Sequence, residues 1–311
     1  MSQSVVEVDR FRMDFGATTV VRDLSFRIEP GETFGFLGSN GSGKTTTIRA
    51  LLGIYAPTAG KLLVNGRTFR PGASAKAGEK QVVLGYLPEE RGLYKKEPVV
   101  DTMVYFGRLK GMTPRAAAAW SMAYLERVGL AGKARQRLDK CSGGEQQKVQ
   151  LGVTVMNNPE LLILDEPTKG FDPVNRRLLL DIIDEQKRAG ATVMMVTHHM
   201  EEVERLCDRI LLLKDGVARA YGSVAEVQRQ FGATTVKVAC NAAELPASPN
   251  YRVLAGDGQV VEIELADTAG PAAVLAELVR AGVGVAAFSP SRRSLDSIFV
   301  EIYGEQAGYV K

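Results

Sequence analysis

Gly38-Ser-Asn-Gly-Ser-Gly-Lys-Thr-Thr46 satisfies the pattern G-x-x-x-x-G-K-[ST] without a gap. Upstream, Thr33-Phe-Gly-Phe-Leu37 is short and apolar enough for a buried strand; downstream, Thr47-Ile-Arg-Ala-Leu-Leu52 reads as a helix. Strand, glycine-rich loop and helix are the context in which this spacing cradles phosphate. Gly38, Gly41 and Gly43 allow turns that aim several N–H groups at one oxyanion, and the helix start adds its positive dipole end. Ser39, Asn40, Ser42 and Thr46 complete the loop. The Lys44 ammonium is expected at the β/γ-phosphates of a bound nucleotide and the Thr45 hydroxyl at Mg²⁺. A ligand-free glycine turn is the bland alternative, and the flanking strand and helix argue against it.

Further along, Leu161-Leu-Ile-Leu-Asp-Glu166 runs four apolar residues into two carboxylates. A buried strand that delivers acids at its C-terminal tip puts them where open α/β sheets bind ligands. Asp165 suits the Mg²⁺ shell, and Glu166 is placed to polarise a water at the γ-phosphate. The alternative is a plain Asp-Glu turn before Pro167.

Working outward, residues 4–37 alternate as short strands with turns at Asp14-Phe-Gly16 and Glu29-Pro-Gly31, an antiparallel β region ahead of the cradle. Leu62–Gly66 adds a strand and turn, residues 70–79 read as a loop, and Val82–Leu87 as a buried strand. Residues 99–158 read as mostly helical, a helical insertion over about 97–158. Parallel-sheet runs return at Leu161–Leu164, Thr192–Thr197 and Ile210–Leu213, separated by helices near 174–188 and 200–207. These patterns predict an α/β core over residues 1–232. Residues 233–311 predict a separate small α+β domain, with strands at 235–239 and 261–265, a Gly-Asp-Gly turn at 256–258, and helices at 271–280 and 294–303.

The chain has 311 residues, 45% of them hydrophobic and 24% charged, the balance of a globular protein with a sizeable core. Its 39 basic and 36 acidic residues are well mixed, so no basic stripe argues for nucleic acid. Three cysteines, far apart and without metal-ligand spacing, fit a reducing compartment. No stretch approaches the roughly 18 apolar residues of a membrane span, and the start has no signal-peptide pattern. A cytoplasmic location is therefore expected.

A third landmark, Cys141-Ser-Gly-Gly-Glu-Gln-Gln147, stands with Asp165-Glu-Pro-Thr-Lys-Gly-Phe-Asp-Pro173 and Thr197-His-His-Met-Glu-Glu202. This ordered set resembles the ATPase subunits of ABC transporters over about residues 5–230, most closely those of ABC-2-type exporters, the multidrug and sodium-efflux group. The resemblance implies a P-loop NTPase of ABC type: a mixed sheet core, an antiparallel β subdomain and a helical insertion. It also implies a head-to-tail dimer with a second ATPase subunit, identical or different, and ATP held between the cradle of one chain and the signature of the other. An integral-membrane permease partner would keep the chain peripheral on the inner face of the cell membrane. Residue chemistry agrees with the trans reading: Ser142 is a natural N-cap, and Gly143 and Gly144 let backbone N–H groups approach a phosphate.

By the same resemblance, Phe15 stacks on adenine, Glu89 stands where a glutamine usually senses Mg²⁺ and the attacking water, and His198 contacts the γ-phosphate. His199 is expected to face solvent. Gly170, Phe171 and Asp172 match the loop that crosses the dimer interface. Cys141 and Glu145 depart from the usual Leu and Gln, and the Glu145 carboxylate, one residue past the phosphate-facing glycines, would weaken a closed dimer. Pro-Glu at 88–89 also occurs in related exporter subunits. The tail around Ser294–Phe299 resembles their accessory C-terminal domain. Two other classes are weighed: a soluble ABC-type ATPase acting on ribosomes or DNA, and a nucleotide switch that never hydrolyses. The former group resembles tandem cassettes, coiled coils or zinc clusters, which one cradle in 311 residues does not fit.

Overall fold

The computed structural model describes residues 3–68, 83–90, 92–231, 235–240, 245–256, 259–266, 268–291 and 294–307. The loop expected at 70–79, Val82, and Asp257 and Gly258 of the expected turn lie outside these residues. The chain divides into two compact units, Met1–Tyr221 and Gly222–Lys311, upstream of the 232/233 boundary expected from the pattern.

In the first unit, β1 (Val6–Phe15) and β2 (Thr18–Ile28) form a hairpin, and β4 (Ala59–Val64) pairs antiparallel on the free edge of β1. Alternation along β1 buries Val6, Val8, Phe11 and Met13 on the core side. The larger sheet has the order β5-β6-β7-β3-β8-β9, built from β3 (Thr33–Leu37), β5 (Leu84–Leu87), β6 (Leu161–Asp165), β7 (Thr192–Val196), β8 (Arg209–Lys214) and β9 (Val217–Ser223). Pairing from β5 through β8 is parallel, and β9 returns beside β8 through a two-residue Asp215–Gly216 turn with positive φ at both positions. Every residue of β3, β6 and β7 is buried, which explains their unbroken apolar runs. The two sheets share one core: Phe26 of β2 stacks on Phe34 and Phe36 of β3 at 5.3 and 5.6 Å between ring centres.

Helix α1 (Lys44–Leu51) follows the cradle, and α5 (Pro173–Arg188) and α6 (Met200–Leu206) connect the later strands. The helical insertion consists of α2 (Val99–Leu109), α3 (Pro114–Arg127) and α4 (Gly143–Val155), with two 3-10 turns between α3 and α4. A Cβ at Gly152 would lie 2.4 Å from the Tyr124 ring, so only glycine lets α3 and α4 approach this closely. At the end of α4 the half-buried Lys110 ammonium donates to the carbonyls of Val153 (2.6 Å) and Thr154 (2.9 Å), satisfying acceptors that have no partner within the helix.

The second unit carries α7 (Val224–Gln230) and a four-stranded antiparallel sheet in the order β11-β12-β10-β13, from β10 (Thr235–Cys240), β11 (Tyr251–Gly256), β12 (Val260–Leu265) and β13 (Val285–Ser291). Helix α8 (Pro271–Arg280) contributes Val274 and Leu278 to a core with Val236, Val238 and Ile263, and α9 (Leu295–Ala307) closes the unit. Among the described residues no helix is long and apolar enough to cross a membrane.

Candidate nucleotide site

Four neighbouring parallel strands, β5, β6, β7 and β3, end on the same edge, so the segments that follow them converge. They surround a cavity of about 310 Å³ lined by Asn40, Gly41, Gly43, Lys44, Thr45 and Thr46, with Glu89, Asp165, Glu166 and His198 across from them. The loop's shape depends on glycine at two places. A Cβ on Gly38 would stand 2.4 Å from the Leu213 carbonyl, and Gly43, the N-cap of α1, has φ 107°. No side chain caps α1, so its first N–H groups face the cavity uncapped. The buried Lys44 Nζ donates to the carbonyls of Gly38 (2.7 Å) and Ser39 (2.9 Å), which tie it to the base of the loop. Burial pushes the Lys44 ammonium pKa down, against the pull of Asp165, Glu166 and Glu89.

Asp165 and Glu166 are 4% and 5% exposed. Burial, then the charge of Glu89, raises the Asp165 pKa to about 6. Burial, then the charge of Asp165, raises Glu166 to about 7. Glu166 also sits at φ 50°, a left-handed conformation rare for a side chain of this size, with its N–H donated to the Val196 carbonyl at 2.8 Å. Its buried Oε1 lies 3.2 Å from His198 Nε2 without a hydrogen-bond partner. Ser42 Oγ is likewise buried without a partner. Burial, then Lys44, lowers the His198 pKa, so the ring is neutral at pH 7. An uncapped helix start, a lysine and unpartnered buried oxygens beside carboxylates are what a triphosphate with a divalent cation requires. Glu89 Oε1 meets Lys169 Nζ at 2.6 Å, a counterion on the loop after β6 that the sequence reading did not foresee.

The remaining candidates lie outside this cavity. Phe15 is 46% exposed and meets Tyr55 edge-on at 5.4 Å, so it is not a core phenylalanine. Ser142 is exposed at the start of α4, Gly143 and Gly144 are half-buried, and Phe171 packs where a Cβ on Gly144 would come within 3.4 Å of its ring. Asp172 caps α5, accepting from the N–H groups of Val174 and Asn175 at 3.0 Å. Glu145 is engaged elsewhere: Oε2 accepts from Ser142 N at 2.8 Å in a capping box, and Oε1 pairs with Lys133 at 2.7 Å. Lys133 first, then the Ser142 N–H, holds its pKa below the usual carboxylate range. His199 is half-buried at the N-cap of α6 and not solvent-facing, while His198 is the more exposed of the two.

Sequence reading also passed over Glu202. As one of two acids in the first turn of α6 it looks like an ordinary dipole-facing residue, yet it is 3% exposed while Glu201 faces solvent.

Fold and cavity together define a P-loop nucleoside-triphosphate site. Residues 21–169 match the profile of the ABC transporter family, and residues 222–303 match the C-terminal domain of DrrA1-3-like ATP-binding proteins. The chain is 42% identical over 225 residues to an uncharacterized ABC transporter ATP-binding protein of Methanocaldococcus jannaschii, covering 72% of this chain and 80% of that one. It is 36% identical over 239 residues to Nod factor export ATP-binding protein I of Paraburkholderia xenovorans, covering 76% and 77%. A solved ATP-binding subunit of an ABC transporter superposes with a TM-score of 0.66 at 27% identity, covering 73% of this chain and 93% of that one. The chain belongs to the ABC transporter ATP-binding proteins, which bind ATP and couple its hydrolysis to transport.

Proposed function

We propose that this chain hydrolyses Mg²⁺-bound ATP in the cavity between β3 and β5 and thereby powers a separate membrane permease of the ABC-2 exporter type. The observation that carries the chemistry is the buried, unpartnered Glu166 Oε1 beside His198 and across the cavity from Lys44. Lys44 and the N–H groups of Gly41 through Thr46 take the phosphates. Thr45, Asp165 and Glu89 hold Mg²⁺, which supplies charge neutralisation to the leaving phosphates. Glu166, with a pKa near neutrality, accepts a hydrogen bond from the attacking water, and the neutral His198 donates one. Phe15 offers an exposed ring for adenine.

Ser142, Gly143, Gly144 and Asp172 do not line the chain's own cavity and serve the nucleotide of a second ATPase subunit, arranged head to tail. Export is supported by the relative's role in Nod factor export and by the match to the DrrA1-3-like C-terminal domain. A permease has a surface to use at the start of the insertion: Tyr94, just ahead of it, and Tyr105 and Leu109 of α2 are 54, 45 and 65% exposed, and Tyr94 and Tyr105 pack edge-on at 5.5 Å. That patch starts shortly after Glu89, so a partner seated there acts on the chain that leads to the metal site. The chain would then lie at the cytoplasmic face of the membrane.

ATP binding and turnover of two variants test the chemistry. Lys44→Ala should lose tight binding, whereas Glu166→Gln should bind ATP normally and lose at least about a hundredfold in turnover, the range expected for a general base. Wild-type turnover by Glu166→Gln would remove Glu166 from the role.

A further inference from the structure

We propose that Glu202 is a positioning residue, one buried carboxylate that holds the loop after β6 and the end of β7 together so that Glu166 stays beside His198. The inference rests on the roles just proposed for that pair. Thr168 Oγ1 donates to Glu202 Oε1 at 2.8 Å, and Thr197 Oγ1 donates to Oε2 at 3.3 Å. Thr168 lies two residues after Glu166 and Thr197 immediately before His198, and they are 0% and 1% exposed. Thr197 Oγ1 in turn accepts the N–H of His199 at 3.1 Å, so His198 is bracketed by residues bound to one network.

Arg176 Nε lies 3.6 Å from Glu202 Oε1 and has no hydrogen bond of its own. Its backbone N–H bonds to the Asp172 carbonyl at 2.9 Å. The segment from Thr168 to Asp172 is thus attached at its start to Glu202 by a hydroxyl, and the helix that follows it reaches the same carboxylate through a guanidinium. A buried charge with partial pairing is poor value for stability alone, because apolar residues of similar volume do as well or better. Holding a strained residue is a different matter. Glu166 sits at φ 50°, and such a conformation persists only where its surroundings over-determine it. Val196 O fixes its N–H on one side, and the tie from Thr168 to Glu202 fixes the chain on the other.

The cradle is carried on β3 and α1, which donate nothing to this network, so ATP binding should survive its loss. Glu202→Ala and Thr168→Val should each lower kcat at least tenfold while leaving KM and the directly measured dissociation constant for ATP within twofold. Thr168→Ser should recover most of the rate, and Glu202→Gln should fall between wild type and Glu202→Ala. A second readout needs no turnover. The chain has only two histidines, so imidazole NMR signals are assignable, and Thr168→Val should shift the His198 resonance although the two residues lie on different loops.

Paired losses of kcat and ATP affinity with a collapsed melting transition would make Glu202 a structural residue and overturn the inference. So would wild-type kcat in Glu202→Gln and Thr168→Val alongside an inactive Glu166→Gln. Turnover by Glu166→Gln itself would instead overturn the assignment of the water-polarising carboxylate.

Discussion

Glu166 is held against its own preferences in two ways, by a left-handed backbone and by burial beside Asp165. A carboxyl whose pKa is raised by folding binds its proton more tightly in the folded state than in the unfolded one. Its contribution to stability is therefore most favourable below the unfolded value and declines as pH rises through the folded value. For Glu166 that window runs from 4.5 to about 7, and for Asp165 from 3.8 to about 6. At about 1.4 kcal/mol per pKa unit, the ionised Glu166 costs the nucleotide-free protein roughly 3 kcal/mol above the window. Glu166→Gln should accordingly raise the melting temperature at pH 8 by about 5 °C or more, and by much less at pH 5. Melting curves of both proteins at both pH values check this, and an equal shift at pH 5 and pH 8 would show that ionisation is not the source.

Among elements, the loops after β5 and β6 are joined by Glu89 and Lys169, whose exposed charges meet at 2.6 Å. The sequence placed an uncompensated acid at 89; the fold supplies a cation from the neighbouring strand's loop. If Glu89 enters the Mg²⁺ shell as proposed, Lys169 competes with the cation for it and shields a metal-free triphosphate from its charge. Two substitutions should separate these effects. Glu89→Gln should raise the Mg²⁺ concentration for half-maximal hydrolysis and tighten metal-free ATP binding, because a neutral amide is both a weaker ligand and a smaller repulsion. Lys169→Met should lower the Mg²⁺ requirement and weaken metal-free binding. Titrations with Mg²⁺ at fixed ATP, and with ATP in chelator, measure both. If neither quantity moves in either variant, Glu89 stands outside the metal shell. The signature helix gives a parallel lesson: the capping box and Lys133 hold the Glu145 carboxylate to the N-cap and to a counterion, so the charge that looked hostile to a phosphate in the sequence already has partners.

On the scale of the whole molecule, Ser142, Gly143 and Gly144 form the start of α4, where a helix favours an anion, yet do not line the chain's own cavity. The head-to-tail arrangement proposed above would bring a second copy, or a different ATPase subunit, to them. If the same chain fills that role, ATP should drive Glu166→Gln protein into dimers by stabilising the closed form without consuming the ligand. Gly143→Asp, added to that variant, should keep it monomeric by setting a carboxylate where a phosphate approaches. Light scattering after size exclusion reads the mass directly. A Gly143→Asp protein that dimerises with ATP as well as its parent would remove the trans role of the signature.

The phosphate cradle, the two acids at the end of β6 and the parallel strands that carry them were legible in the sequence, because each is local. A fixed glycine spacing selects a loop, and an unbroken apolar run selects a strand buried on both faces. Strands β9, β11 and β13 and helix α7 were not read, since their patterns are short or mixed and only sheet pairing or packing defines them. The partners of charged side chains were invisible for a related reason. Glu201 and Glu202 are adjacent acids in one helical turn, and nothing in their order says that one meets water and the other two buried hydroxyls. Lys169 and Glu89 are far apart in the chain and meet only because β5 and β6 lie side by side. Local chemistry determined which residues could bind a phosphate; burial and long-range pairing, which depend on every other element of the fold, decided their charges, their counterions and their geometry.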